Sequence, residues 1–405
     1  MNRLFARRME NAHRSYIREI LKVTEDPEII SFAGGLPNPK CFPVEQVAAA
    51  AAVVFAEAGQ NAMQYSTTEG FLPLREWIAA RYRKRFGMQV DPDEILITNG
   101  SQQGLDLIGK VFLNEGDGVL LERPAYQGAI QAFELFQPEF HLVPLEEDGA
   151  DLAQLQSCLE KDRPKLFYTV TNFQNPSGIT YSPQKRAALA RLLKEADTVL
   201  VEDDPYSELR FMGEETRPIR AYCEEGAVLL GSFSKIVAPG LRLGWVYAPA
   251  EMMTKLVTVK QGADLHSNYL TQRIVCQYLQ DNDLEEHIAM IRATYRKQRD
   301  LMVQMMERYF PAEVKFTRPE GGMFLWVTLP EGLSALELFE EALREKVAFV
   351  PGVAFFTDGG GENTLRLNFS NSDELRIETG VKRLGKVIER MMGNQELQWE
   401  ARVGR

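Results

Sequence analysis

Residues 197–206 read DTVLVEDDPY. A strand with one wet face shows a polar residue at every second position. The Val-Leu-Val core of this stretch does not alternate, which suits a strand buried on both faces. It ends on acids, and Asp203, directly after Val-Leu-Val-Glu, places a carboxylate where it needs a partner. Six further runs share this character: EILITNG (94–100), GVLLERPAY (118–126), FHLVPL (140–145), KLFYTV (165–170), AVLLGSF (227–233) and LGWVYA (243–248). Helical patterns lie between them. In QQGLDLIGKVFLN (102–114), Leu105, Ile108, Val111 and Phe112 share one face. The alternation predicts an α/β fold built on a mainly parallel seven-stranded sheet with helices on both faces.

After residue 310, at the end of a long helix, the pattern changes. DLEEHIAMIRATYRKQRDLMVQMMERYF (283–310) reads as one long helix. Strand-like VKFTRP, MFLWVTL, VAFVPG and TLRLNFS follow, around helices near 334–346 and 373–392. This predicts a large domain at 46–310, a smaller α+β domain at 311–405, and an N-terminal segment 1–45 packing on the small domain. The tail NQELQWEARVGR is expected to fray.

Composition narrows the function classes. The 405 residues suit two domains, and 45% hydrophobic residues is ordinary for a globular enzyme. A net charge of −11 argues against non-specific nucleic-acid binding, because a polyanion would repel the surface. The basic N-terminus has no apolar stretch behind it to serve as a signal peptide, and no apolar run reaches the length of a membrane span. The four cysteines are far apart, without zinc spacing, so reduced thiols, a cytoplasmic location and no metal are expected.

Functional residue types fall just past the carboxyl ends of the predicted strands, where open α/β sheets place their sites. TNGSQQG (98–104) ends a strand and opens a helix, so Gly100 and Ser101 can present free N–H groups to an anion. Taken alone, a plain turn with a serine cap is the simpler account. RPAY (123–126) puts an aromatic at a strand end, where core packing is the usual explanation. VTNFQNPSG (170–178) is more telling, since Asn-Pro-Ser-Gly turns the chain sharply and leaves the Asn175 amide projecting from the sheet.

GSFSKIVAPGLRLGW (231–245) carries one lysine after an apolar run. An ammonium at the end of a buried strand, near Arg242, is destabilised and its pKa should fall. The resulting neutral amine is a nucleophile able to form a Schiff base. A snorkelling loop lysine is the plain alternative.

Taken together and in order, these motifs resemble pyridoxal-phosphate enzymes of fold type I, the class I/II aminotransferases, and most of all the 2-aminoadipate/kynurenine subgroup. The resemblance rests on FAGGLPNPKCFP, QYSTTEG, TNGSQQGLD, RPAYQG, NFQNPSG, VEDDPYSELRF, GSFSKIVAPGLRLGW, PEGGMFLW and TLRLNFS, which span nearly the whole chain. It implies that Lys235 forms the Schiff base with pyridoxal 5'-phosphate and later shuttles the proton. Asp203 would pair with the ring nitrogen, Tyr206 and Asn175 with the ring 3′ oxygen, and Tyr126 would stack on the ring. Ser101, Gln102, Ser232 and Arg242 would take the phosphate, while Ser234 is left open between ligand and turn residue. Tyr65 resembles a tyrosine that reaches the phosphate from a neighbouring subunit, implying a homodimer with shared sites. Arg366 would fork the substrate α-carboxylate, with Gly35 and Asn175 beside it.

SYIREILK (15–22) resembles a mobile helix of the aminoadipate branch, in which Arg18 would read a distal carboxylate. A solvated arginine in an Arg/Glu helix pattern is the plain alternative. The expected reaction moves an amino group from an amino acid to a 2-oxo acid, 2-oxoglutarate foremost. The expected donors include 2-aminoadipate, glutamate, aromatic or branched amino acids. A carbon–sulfur lyase or decarboxylase would share fold and cofactor, and dependence on a 2-oxo acid acceptor separates them. The ligand-sensing half of a bacterial transcription regulator is a third reading. About thirty residues before FAGGLP are too few for its helix-turn-helix domain.

Overall fold

The computed structural model describes residues 4–9, 16–23, 26–223 and 225–403. Its large sheet runs in the order Ile95–Thr98, Gly244–Tyr247, Ala227–Ser232, Val199–Asp203, Leu166–Thr169, Gly118–Arg123, Glu139–Glu146 and Gly149–Ala150. From Ala227–Ser232 across to Glu139–Glu146 every neighbour is parallel. Gly244–Tyr247 is antiparallel to both of its neighbours. The two-residue strand Gly149–Ala150 folds back antiparallel at the edge, an addition to the seven strands expected.

The lack of alternation has its reason in the layers. All residues of ILIT, LFYT, AVLLGS and GWVY are buried. Successive side chains still point to opposite faces. Leu121, Tyr168, Val201 and Leu230 pack with Leu105 and Ile108 of the helix Ser101–Phe112. Leu120, Phe167 and Leu200 instead meet Leu189 and Leu193 of the helix Pro183–Lys194.

The long helix Leu284–Tyr309 starts where Asp283 caps it, accepting from the Glu285 amide at 2.8 Å. Beyond it lies a four-stranded antiparallel sheet in the order Lys315–Phe316, Phe324–Thr328, Thr364–Asn368, Val350–Pro351. VAFVPG is two strands rather than one. Val347–Ala348 pairs in parallel with Ile30–Ser31 of the N-terminal segment, while Val350–Pro351 pairs with Leu365 and Arg366. Phe32 continues the link, donating to the Ala348 carbonyl and accepting from the Asn368 amide, both at 2.8 Å. The final helix, Glu374–Val403, runs through the segment expected to fray. NQELQWEAR contains neither Gly nor Pro and is rich in helix formers, so nothing local stops the helix. Among the described residues no helix is long and apolar enough to cross a membrane.

Candidate active site

Parallel strands deliver their carboxyl ends to one edge of the sheet, and the predicted residues converge there. One cavity of about 610 Å³ is lined by Gly100, Ser101, Gln102, Tyr126, Asn175, Asp203, Tyr206, Ser232, Ser234, Lys235 and Arg242. Gly35 and Arg366 line it from the N-terminal segment and the smaller sheet, and Arg18 of the helix Tyr16–Val23 lies at its exposed edge. Tyr65 does not line this cavity. It is 79% exposed, with its ring edge-on to His266 at 5.9 Å.

Asp203 is the last residue of its strand and is 2% exposed. One carboxylate oxygen, Oδ2, accepts from the Tyr168 hydroxyl at 2.9 Å, and the other, Oδ1, is buried without a partner among the described residues. Burial pushes its proton affinity up, Tyr168 holds it down, and Asp204 and Glu122 add repulsion, for a pKa of about 7. A cationic donor at Oδ1 would remove both the orphan and the penalty. A protonated pyridine nitrogen is such a donor, so this residue fits pyridoxal phosphate.

Lys235 lies in the turn after the strand Ala227–Ser232, and its Nζ donates to the Gly35 carbonyl at 2.9 Å. Burial lowers its pKa to about 8, helped by the positive charges of Arg366 and Arg242. Arg366 is 2% exposed. Its Nη1 donates to Asn175 Oδ1 and its Nη2 to the Ala33 carbonyl, both at 2.7 Å, while Nε has no partner among the described residues. Phe324 and Phe355 flank the guanidinium at 4.3 and 5.1 Å. This is a buried cation held by neutral groups, and burial lowers its pKa to about 10. An incoming carboxylate supplies the missing counter-charge.

An anion cup lies at the other end of the cavity. The helix Ser101–Phe112 begins at Gly100 without a side-chain cap, which leaves its first N–H groups available to an anion. Gln102 spends its side-chain amide on the Gly128 carbonyl at 2.7 Å, leaving its backbone N–H for an anion. Arg242 sits at φ 52°, and its hydrogen bonds go to the carbonyls of Asn99 and Pro239 rather than to a carboxylate. Gly100 makes this approach possible, since a Cβ there would stand 2.8 Å from Arg242 Nη2. Ser232 Oγ donates to Ser234 Oγ at 2.9 Å and accepts from the Ser234 amide, so the two hydroxyls form one unit beside the cup.

Two supports were not singled out from sequence. Tyr168 was read only as part of an apolar strand. Glu122, fully buried, accepts from Thr169 Oγ1, Tyr181 Oη and Gln174 Nε2. Gln174 Oε1 in turn accepts from the Ser177 amide and hydroxyl at 2.8 and 2.7 Å, which pins the turn carrying Asn175. A carboxylate inside GVLLER, and a glutamine three residues before the serine of NPSG, were the available signals.

The sequence profile of aminotransferase class I and II matches residues 30–384. The chain belongs to this family. It is 48% identical to the 2-aminoadipate transaminase of Thermus thermophilus, across 93% of this chain and 94% of that protein. It is 43% identical to aromatic-amino-acid aminotransferase 1 of Thermococcus litoralis, across 93% and 92%. The crystal structure of an alpha-aminoadipate aminotransferase from Thermus thermophilus, complexed with N-(5'-phosphopyridoxyl)-L-leucine, superposes with a TM-score of 0.91 at 45% identity. That match covers 97% of this chain and 99% of the other. The protein is therefore a transaminase of fold type I that moves an amino group between an amino acid and an oxo acid with pyridoxal phosphate.

Proposed function

We propose that this transaminase takes 2-oxoglutarate as acceptor, with 2-aminoadipate or glutamate and also apolar or aromatic amino acids as donors. The observation that carries the reading is Arg366, a buried guanidinium whose Nε lacks a partner at the wall shared with Lys235. Any amino acid offers it an α-carboxylate. Arg18 at the cavity edge reads a distal carboxylate where the donor has one. The names of the two curated relatives, one for aminoadipate and one for aromatic amino acids, fit a site that accepts both kinds.

Bound in the cavity, pyridoxal phosphate supplies an electron sink for negative charge at the substrate α-carbon. Lys235 Nζ would hold the cofactor and would carry the proton from that carbon; its lowered pKa favours the neutral amine this needs. Asp203 Oδ1 would keep the ring nitrogen protonated, and Tyr126, which lines the cavity, would cover the ring. Tyr206, beside Asn175, donates with it to the ring oxygen. Ser101, Gln102, Ser232 and Arg242 hold the phosphate, and Ser234 orients Ser232. Gly35 and Asn175 keep Lys235 and Arg366 in place.

The same reading includes a cytoplasmic homodimer in which Tyr65 reaches the partner's phosphate. Val44, Phe55, Met63, Tyr65 and Leu72 are exposed along one stretch of chain, as an interface would need, and the four cysteines are free thiols. It also divides the chain into a large domain at 46–310, a small domain at 311–405 and a segment 1–45 that packs on the small one, for which the Ile30–Ser31 pairing speaks. Half-reactions with single amino acids, followed by cofactor absorbance, test the donors. No response to 2-aminoadipate or glutamate sinks the dicarboxylate part. Mixed Tyr65→Phe and Lys235→Ala proteins should regain partial activity; demonstrated heterodimers without activity would mean that each site belongs to one chain.

A further inference from the structure

The strand Leu166–Thr169 lies beside Val199–Asp203 in parallel register, with Tyr168 opposite Val201. Tyr168 is fully buried, and its ring is fixed edge-on against Phe133 at 6.1 Å. At a site with helices above and below, a phenylalanine would fill the same space without a hydroxyl to desolvate. A buried hydroxyl needs a partner, and this one donates to Asp203 Oδ2 at 2.9 Å.

The surroundings of Asp203 show what the bond does. Burial, the neighbouring Asp204 and Glu122 of the strand Gly118–Arg123 all favour the protonated acid. Tyr126 and Tyr206 face it across the cavity, and their own ionisation is opposed by its charge. Among these groups only Tyr168 favours the carboxylate. Its bond also decides which oxygen is free. With Oδ2 engaged, the unpartnered oxygen is Oδ1.

We propose that Tyr168 is a positioning residue for the transamination: its phenol favours the Asp203 carboxylate and turns it so that Oδ1 meets the cofactor ring nitrogen. The inference rests on the reading of Asp203 as the partner of that nitrogen. Tyr168 itself touches neither substrate nor cofactor in this scheme, and its influence passes wholly through one hydrogen bond.

The test uses Tyr168→Phe, which removes one oxygen atom. Pyridoxamine phosphate is the probe, because it binds without a bond to Lys235 and so isolates the ring contact. Binding to the cofactor-free variant should weaken about tenfold, the scale of one hydrogen bond to a charged group. The 15N signal of ring-labelled cofactor should move from the charged toward the neutral pyridine. Unchanged affinity and an unchanged nitrogen signal in a folded variant overturn the inference. If the phenylalanine protein does not fold, 3-fluorotyrosine at 168 keeps the packing and strengthens the donor, so it should tighten pyridoxamine phosphate binding. No tightening there overturns it equally. Asp203→Asn separates the two readings. If that variant leaves the nitrogen signal unmoved, the assignment of Asp203 fails; if it moves the signal and Tyr168→Phe does not, the Tyr168 inference fails alone.

Discussion

Lys235 is half-buried and Lys260 fully buried, and the two have opposite surroundings. Lys235, after the strand Ala227–Ser232, makes one hydrogen bond among the described residues, to the Gly35 carbonyl, and has two arginines for electrostatic neighbours. Lys260, in the helix Ala250–Asp264, is fully buried yet donates to both oxygens of Asp264, to Gln103 Oε1 and to Ser267 Oγ at 2.8 to 3.1 Å. Burial lowers both pKa values, but Asp264 pulls that of Lys260 back up, while the arginines push that of Lys235 further down. One ammonium is stabilised into a strut and the other is destabilised into a reagent. The difference lies in the company each keeps: Lys260 has no exposed surface and Lys235 is part-exposed, yet it is Lys235 that meets only positive charge.

The largest break between them is chemical. Lys235→Ala should lose turnover by about 10⁴-fold or more, since nucleophile and proton carrier go together. Lys260→Met should keep a working site. Borohydride should fix the cofactor to the peptide 231–245 in the native protein, and a label on any other lysine would reverse the assignment.

Next comes the strut. Asp264→Asn leaves the Lys260 charge buried among neutral partners and should cost about 3 kcal/mol in denaturant unfolding. A loss below about 0.5 kcal/mol would mean that the pair is dispensable.

The pH response of Lys235 follows from its sign. A folded-state pKa near 8, below the ordinary 10.5, means that the neutral amine gains ground as pH rises toward 8. At pH 7 roughly one molecule in ten carries it, against roughly one in three thousand for an ordinary lysine. Cofactor uptake by the cofactor-free protein, followed by stopped-flow absorbance, should therefore climb from pH 6 and level off just above 8. A climb continuing to about 10 would return Lys235 to the ordinary class.

Stability should then separate the lysines by sign. Lys235→Met removes an ammonium that has no counter-charge and should raise the stability of the cofactor-free protein by about 1 kcal/mol. Lys260→Met should lower it by about 1–2 kcal/mol. Asp264 tempers that loss, because it keeps Asn99 Nδ2 and Gln103 Nε2 as donors.

The smallest effect belongs to Arg18, which is exposed. Arg18→Ala should weaken 2-aminoadipate and glutamate by about 1 kcal/mol in kcat/KM and leave leucine and phenylalanine unchanged. Arg366→Ala should damage every donor. Equal losses for both substrate classes in the Arg18 variant would remove it from substrate reading.

The chain announced Lys235 but not Lys260. The first follows an apolar run and precedes Gly and Pro, so its environment was written beside it. The second reads as one more polar residue in AEMMTKLVTVKQGAD. It becomes special only where its helix meets the helix Ser101–Phe112 and the Ser267 turn. Tyr168 was hidden for a related reason. In KLFYTV a tyrosine is one more large apolar residue, and its hydroxyl gains meaning only from Asp203, which lies 35 positions away on the neighbouring strand.

By itself the sequence determined the central strands, because two-sided burial forbids alternation and leaves an unbroken apolar run for each; FHLVPL lies instead on Glu139–Glu146, a strand near the sheet edge that is only part-buried. It also determined the residues at their carboxyl ends, since turns there need Gly, Pro and Asn at particular places. The tertiary structure alone decided pairing, company and which strand breaks the parallel order. An apolar run carries no sign of direction, and Gly244–Tyr247 proved antiparallel. Nor does a run name its neighbour, so VAFVPG divides between the N-terminal segment and the small sheet. Charge is settled the same way. The ionisation of Asp203, Lys235 and Arg366 depends on groups within a few ångströms in space, whatever their distance along the chain.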